Sequence, residues 1–333
     1  MSEPTLYLKL QNELMRLLDL GELIAKHTGR RPAFIGHPWT ALKLVFLKLY
    51  VPLYTKIIKK YYEKMVYIDL LAGSGLNTYE GYEDAVLPGS PIIAWTYAYT
   101  SFDKLYLVEI DTNSAKALEK RINLVTSSKE RFTIYKGCDA NIMVHKIMRE
   151  IEKHKSIHYL AFIDPTGLDD ISWTTLQRLL ASNIRGDIVL LFHSRQAARE
   201  VGKALKGMNT PALDKLLGGR NWLNYIRKHK DKGYEKAITD YLLHKIMCVR
   251  EEAVLETVRV DLRKKFQYYL IFITCKTRSG NPWLKAVREM KRFVENTPSQ
   301  TVDIAIGEIL GKTKTLTRYL HDKESPPQSL QLQ

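Results

Sequence analysis

Apolar runs of strand length alternate with helix-compatible stretches through the middle of the chain. Residues 65–71, 104–110, 132–136, 158–164 and 187–193 are such runs, and each is followed by sequence suited to a helix. Nearly continuous apolar strands joined by helical crossovers predict a parallel sheet covered on both faces, an α/β fold. Further on, residues 253–260 and 268–274 flank the short polar stretch 261–265, a spacing that fits an antiparallel hairpin. Ahead of the first strand, residues 5–27 read as a helix. Leu42, Val45, Phe46 and Leu49 mark a second helix before Pro52, where a bend leads into residues 56–62.

This pattern divides the chain into a helical extension (1–62), an α/β core (63–193), a helical insertion (194–252), a sheet-completing hairpin with terminal helices (253–322) and a disordered tail (323–333). The insertion is inferred because about sixty residues exceed an ordinary crossover. No repeat or low-complexity block interrupts the body. With 333 residues, 45% of them hydrophobic, the chain can bury a substantial core, so disorder is not expected. Cys138, Cys248 and Cys275 are far apart, with no CxxC pair and no histidine at ligand spacing, which argues against structural zinc, any other metal site or a disulfide framework and fits a reducing cytoplasm. The longest apolar run, residues 41–54, is broken by Lys43, Lys48 and Pro52, so a soluble rather than membrane-spanning chain is expected.

A formal net charge of +15 makes nucleic acid the leading partner class. The insertion interleaves Trp222 and Tyr225 with Lys203, Lys206, Lys215, Arg220, Arg227, Lys228, Lys230 and Lys232. That mixture suits phosphate contacts with base stacking, or equally a solvated helical face over two core aromatics.

The first strand enters a D-x-x-x-G-x-G turn made by Asp69, Ala72, Gly73, Ser74 and Gly75. Small residues there let backbone N–H groups approach a nucleotide-like ligand, although any tight strand-to-helix turn favours glycine. Thr78 stands where a dinucleotide fingerprint has its third glycine, which disfavours NAD chemistry. Ligands of doubly wound sheets lie at the carboxyl ends of strands, so the polar residues closing each strand are candidates. Glu109 can accept both ribose hydroxyls of an adenosine, with Asp111 capping the next helix. Asp139, followed by Ala140, either accepts from an adenine amino group or caps the helix behind it.

Asp164 and Pro165 close the fourth strand. A carboxylate and a proline-fixed carbonyl can both accept from a substrate N–H and aim its lone pair, though Asp-Pro-Thr-Gly also spells a plain turn. Thr166 and Gly167 complete that element, and Trp173 is the candidate for stacking a base. His193 and Arg195 follow the fifth strand on the same edge; with Arg199, Arg30, Arg31, His37 and Lys43 they could meet phosphate or only solvate the surface. Residues 77–88 read as a loop over the ligand, before Gly89, Ser90 and Pro91 open a helix over 92–99.

In order and spacing, the segments 67–75 (YIDLLAGSG), 89–94 (GSPIIA), 108–111 (VEID), 162–167 (FIDPTG) with Trp173, and 187–192 (DIVLLF) resemble the three-Cys-motif partner proteins. The resemblance covers residues 35–200; Leu71, Ser74 and Phe192-His193 depart from the family pattern. It implies a Rossmann-like class I methyltransferase sheet of five parallel strands plus a hairpin. S-adenosylmethionine (SAM) would lie against Asp69, Gly73, Gly75, Glu109 and Asp139, with Ala72, Ser74 and Ala140 beside them, and substrate against Asp164 and Pro165. The expected activity is methyl transfer to RNA or DNA at a base nitrogen; the alternative is a non-catalytic methyltransferase-like module that binds nucleic acid or docks a protein partner.

Overall fold

The computed structural model describes residues 3–262, 266–278 and 280–312. Its strands are β1 (Phe34–Gly36), β2 (Lys64–Asp69), β3 (Leu76–Tyr79), β4 (Tyr82–Pro88), β5 (Lys104–Glu109), β6 (Phe132–Lys136), β7 (Ile157–Ile163), β8 (Gly186–Phe192), β9 (Ala253–Leu262) and β10 (Phe266–Cys275). The main sheet has the order β6-β5-β2-β7-β8-β10-β9. β6, β5, β2, β7 and β8 pair in parallel, whereas β10 runs antiparallel to both β8 and β9. Five parallel strands closed by a hairpin make this a Rossmann-like sheet of the class I methyltransferase type.

β7 and β8 are buried at every position, as central strands covered on both faces must be. Successive side chains leave a strand on opposite faces. Tyr67, Leu107, Leu160, Phe162, Val189 and Leu191 therefore join one core with the helix Ala41–Ile58, while Ile68, Val108, Ala161, Ile163, Ile188 and Leu190 join another beneath the helices Ala140–Ile151 and Trp173–Leu180.

Two local expectations change, and one open alternative closes. Pro52 lies inside the helix Ala41–Ile58, with no break before it, because buried residues on both sides of the proline hold the helix to the sheet. Residues 77–88 are not a loop: β3 and β4 form a hairpin, and β1 pairs in parallel with β3 to make a second, three-stranded sheet. Trp222 is not displayed for base stacking. It is fully buried and donates its indole N–H to Asp214 at 2.7 Å, and Tyr225 stacks on His229 with ring centroids 4.1 Å apart. The helices Ser194–Leu205, Pro211–Leu217, Trp222–Lys228 and Tyr234–Val249 thus cover the second core. The tail expected over 323–333 lies outside the described residues, as do residues 313–322.

The amino-terminal helix Glu3–Thr28 meets the helix Ser299–Ile309 through Tyr7 and Gln11, which both donate to Glu308. Helix Ala41–Ile58 is keyed to the sheet by buried polar contacts. Tyr50 donates to Asp187 at 2.5 Å, and Tyr54 pairs with Nδ1 of His158 at 2.9 Å. Burial, with help from Arg250 and Arg185, drops the His158 pKa to about 3.

An imidazole held neutral in the fold titrates near 6.5 when unfolded, so the unfolded chain binds the proton better. His158 therefore withdraws stability as pH falls from 6.5 toward 3. In His158→Asn, whose amide can still meet Tyr54, the gap in unfolding free energy from the wild type should narrow between pH 7 and pH 4. A gap that stays constant over that range in urea titrations would remove His158 from the acid sensitivity.

Candidate functional site

A cavity of about 650 Å³ opens at the carboxyl ends of β2, β5, β7 and β8, with β1 and β3 walling one side. One end is the turn after β2. Leu71, Ala72, Gly73, Ser74 and Gly75 all line it, and Gly73 and Gly75 have φ of +63° and +85°, the left-handed region that favours glycine. Gly75 lies so close to Gly89 that a Cβ on Gly89 would stand 2.9 Å from the Gly75 Cα, and the Gly89 N–H donates to the Gly75 carbonyl at 2.8 Å. A Cβ on Gly73, by contrast, would meet nothing within 4 Å.

Glu109 closes this end. Its two carboxylate oxygens accept from the N–H groups of Gly73 (2.7 Å) and Asp111 (2.8 Å), and burial raises its pKa. A carboxylate has about four lone-pair sites, so these bonds do not exhaust its capacity to accept. Ile110 beside it is 66% exposed and also lines the cavity, presenting an apolar surface next to the acid.

Asp69 does not reach the cavity. It is fully buried behind the turn, where it accepts from Ser90 (2.6 Å), Tyr67 (3.0 Å) and the Leu71 N–H (3.3 Å), and burial pushes its pKa up to about 7. Its work is to hold the turn against the helix Ser90–Thr96. Arg121 braces the same turn from the other side: its guanidinium is buried and donates to the carbonyls of Ser74 (2.8 Å), Pro32 (2.7 Å) and Gly29 (2.9 Å). Burial lowers even this guanidinium's pKa, to about 10.

The other end is built by β7, β8 and the start of helix Ala41–Ile58. Asp164 pairs with Lys43 at 2.6 Å, and the Lys43 ammonium is 5.5 Å from the centre of the Phe34 ring. His193 Nε2 is 2.8 Å from the Pro165 carbonyl, which can only accept, so Nε2 carries the hydrogen and Nδ1 is a bare acceptor. Burial keeps this imidazole neutral by lowering its pKa. Asp164 Oδ1, His193 Nδ1 and the Tyr268 hydroxyl are buried polar atoms with no hydrogen-bond partner among the described residues, and all three side chains line the cavity.

The structure thus brings together Ala72, Gly73, Ser74, Gly75, Glu109, Asp164, Pro165, Thr166 and His193. It leaves out several sequence candidates. Asp139 caps the helix Ala140–Ile151 by accepting from the Asn141 N–H at 2.6 Å, and Ala140 is buried beside it; neither lines the cavity. Gly167 lies behind the wall in a turn whose Thr166 and Gly167 N–H groups both donate to Asp170. Trp173 is core, 7% exposed with Lys245 3.9 Å above its ring. Arg195, in the helix Ser194–Leu205, does not line the cavity. Pro165 lines it, but its carbonyl is already engaged by His193.

Ile110 and Tyr268 were not singled out as site residues by the sequence, and Lys43 was read there only as a phosphate contact or a surface cation. A signal existed for Lys43: a cation inside the apolar stretch 41–51 must be paired, and it is 8% exposed. Among the described residues no cluster of histidine, cysteine, aspartate and glutamate could hold a metal ion, and no helix is long and apolar enough to cross a membrane.

No family model matches the chain, and no curated protein matches it. Among solved structures, a Legionella pneumophila protein is similar at 12% identity, covering 75% of this chain and 91% of that one with a TM-score of 0.48. A Bacillus cereus O-methyltransferase in complex with S-adenosylhomocysteine (SAH) is similar at 12% identity over 68% and 80% of the two chains, with a TM-score of 0.39. A tomaymycin-synthesis O-methyltransferase of Streptomyces achromogenes, in complex with SAM, is similar at 11% identity over 68% and 79%, with a TM-score of 0.38.

Replacing Arg121 with methionine keeps the aliphatic volume but strips donors from three carbonyls. It should cost on the order of 3 kcal/mol in urea unfolding. A loss below about 1 kcal/mol would mean that water takes over those carbonyls.

Proposed function

We propose that the chain is a SAM-dependent methyltransferase acting on nucleic acid at a base nitrogen, in keeping with its resemblance to the three-Cys-motif partner proteins. One observation carries the reading: a single cavity has a Glu109-latched glycine turn at one end and buried, partnerless acceptors at the other. The residues present fit the cofactor. About 650 Å³ is within the ~300–1,000 Å³ range of small-molecule sites. The open space at Gly73 admits close backbone approach, the spare acceptor capacity of Glu109 suits a ribose hydroxyl, and Ile110 offers an apolar face for a base.

SAM supplies an electrophilic methyl group and its own sulfonium leaving group. The chain's contribution is then positioning. Asp164, held by Lys43, orients the attacking nitrogen, and the apolar wall from β1 limits water. The net charge of +15 supports a polyanionic substrate such as RNA or DNA.

A second reading, a non-catalytic module that binds nucleic acid or docks a protein partner, is favoured by one feature: Asp164 and the Pro165 carbonyl already have partners in the chain itself, Lys43 and His193.

Isothermal titration separates the two. Wild type should bind SAM and SAH, and Glu109→Ala should weaken both by about tenfold or more, the value of one or two charge-assisted hydrogen bonds. Absence of binding by wild type would favour the second reading. With tritiated SAM and bulk RNA or denatured DNA as acceptors, Asp164→Ala should abolish transfer while leaving SAM affinity within about twofold. Undiminished transfer by that variant would reject the role given to Asp164.

A further inference from the structure

We infer that Asp164 Oδ1 and His193 Nδ1 form a pair of acceptors that selects a primary amino group, so that the methylated atom is an exocyclic –NH2 nitrogen rather than a ring nitrogen or a hydroxyl oxygen. The inference rests on the reading just given and narrows its substrate. Both atoms belong to side chains that line the cavity, both are buried, and neither has a donor among the described residues. Their other faces are occupied: Asp164 Oδ2 by Lys43, and His193 Nε2 by the carbonyl of Pro165, the residue that follows Asp164 in the chain. The tether to Pro165 fixes which nitrogen of His193 is bare and holds the ring next to the Asp164 element.

Two acceptors require two hydrogens from one partner. An –NH2 group has both to give and keeps its lone pair out of those two bonds, free to attack a methyl carbon; as the N–C bond forms, the S–C bond to the sulfonium would break, and the proton that the methylated nitrogen must shed passes to His193 Nδ1. A hydroxyl has one hydrogen and a pyridine-type ring nitrogen has none, so either would leave a buried acceptor unsatisfied. A carbonyl oxygen in the amino position would face two acceptors directly, the case that a site built for hydrogen bonds rejects most strongly. The Tyr268 hydroxyl, the third partnerless atom on this wall, can donate where the other two cannot, and a ring nitrogen beside the amino group is the acceptor that it fits.

The test uses the full-length protein, ¹⁵N-labelled and saturated with SAH, titrated separately with adenosine, cytidine, inosine and uridine. The His193 ring signals are assigned by their loss in His193→Gln, a variant that can still reach the Pro165 carbonyl but lacks the Nδ1 acceptor. In the SAH complex His193 should show a proton on Nε2 and none on Nδ1. Adenosine or cytidine should shift the Nδ1 resonance by several ppm, whereas inosine and uridine, with oxygen in place of the amino group, should leave it in place. His193→Gln should weaken the binding of the responding nucleoside by about tenfold or more without changing SAH affinity by more than about twofold.

An Nδ1–H tautomer, an equal response to inosine and adenosine, or no response to either amino nucleoside would overturn the inference while leaving the cofactor reading in place. Failure of the wild type to bind SAH at all would remove the cofactor reading, and this inference with it.

Discussion

A buried guanidinium with no carboxylate beside it among the described residues sets the geometry on which the rest of the site depends. Arg121 is compensated among the described residues by oxygens alone, and the carbonyls that receive it belong to Gly29, Pro32 and Ser74. A buried charge left unpaired costs several kcal/mol, so these carbonyls cannot drift from it. One side chain thus ties the segment leading into β1 to the turn after β2. The glycine turn has its shape because Asp69 and Glu109 hold its backbone from below and from the side while Arg121 fixes its carbonyl.

The two ends of the cavity differ in kind. At the turn, the groups facing the cavity are backbone atoms and a carboxylate already latched to two backbone N–H groups. At the far end, charged and polar groups are neutralised by one another: Lys43 by Asp164, and the His193 Nε2 hydrogen by Pro165. A cation paired inside a mostly apolar wall contributes little net stability, because desolvation offsets most of the attraction. What the pair provides is direction, since one Asp164 oxygen is committed and the other is not. The β1-β3-β4 sheet encloses the space between the ends, so residues 34–37, far from the core in sequence, are part of its wall.

Much of the fold was legible because its signal is periodic. The five parallel strands and the hairpin match their expected positions within one or two residues, since a central strand such as β8 must be apolar at nearly every position. Periodicity failed at β3 and β4, where glycines, a proline and short strands read as loop. It failed at Pro52 too, where tertiary packing outweighs local preference. Among the residues that line the cavity, those fixed by backbone geometry, such as Gly73 and Gly75, could be picked out from the sequence, as could strand-end acids such as Glu109 and Asp164. Residues whose role depends on which way a helix or strand faces could not. Asp139 caps, Trp173 is core, and Tyr268 reaches the cavity only because β10 runs antiparallel beside β8.

The helix Ala41–Ile58 carries Lys43 near its start, and Tyr50 and Tyr54 two and three turns later on the same side. The tyrosines are keyed to Asp187 and His158 in the body of the sheet, so the helix acts as a ruler ~16 Å long between Lys43 and Tyr54, at ~1.5 Å per residue. One residue added or lost between Lys43 and Tyr50 would swing the ammonium by about 100° around the helix axis, away from Asp164. Substitutions that keep this stretch apolar are compatible with the site, but a change in its length is not. Natural variation here should therefore be confined to the identity of its residues, never their number.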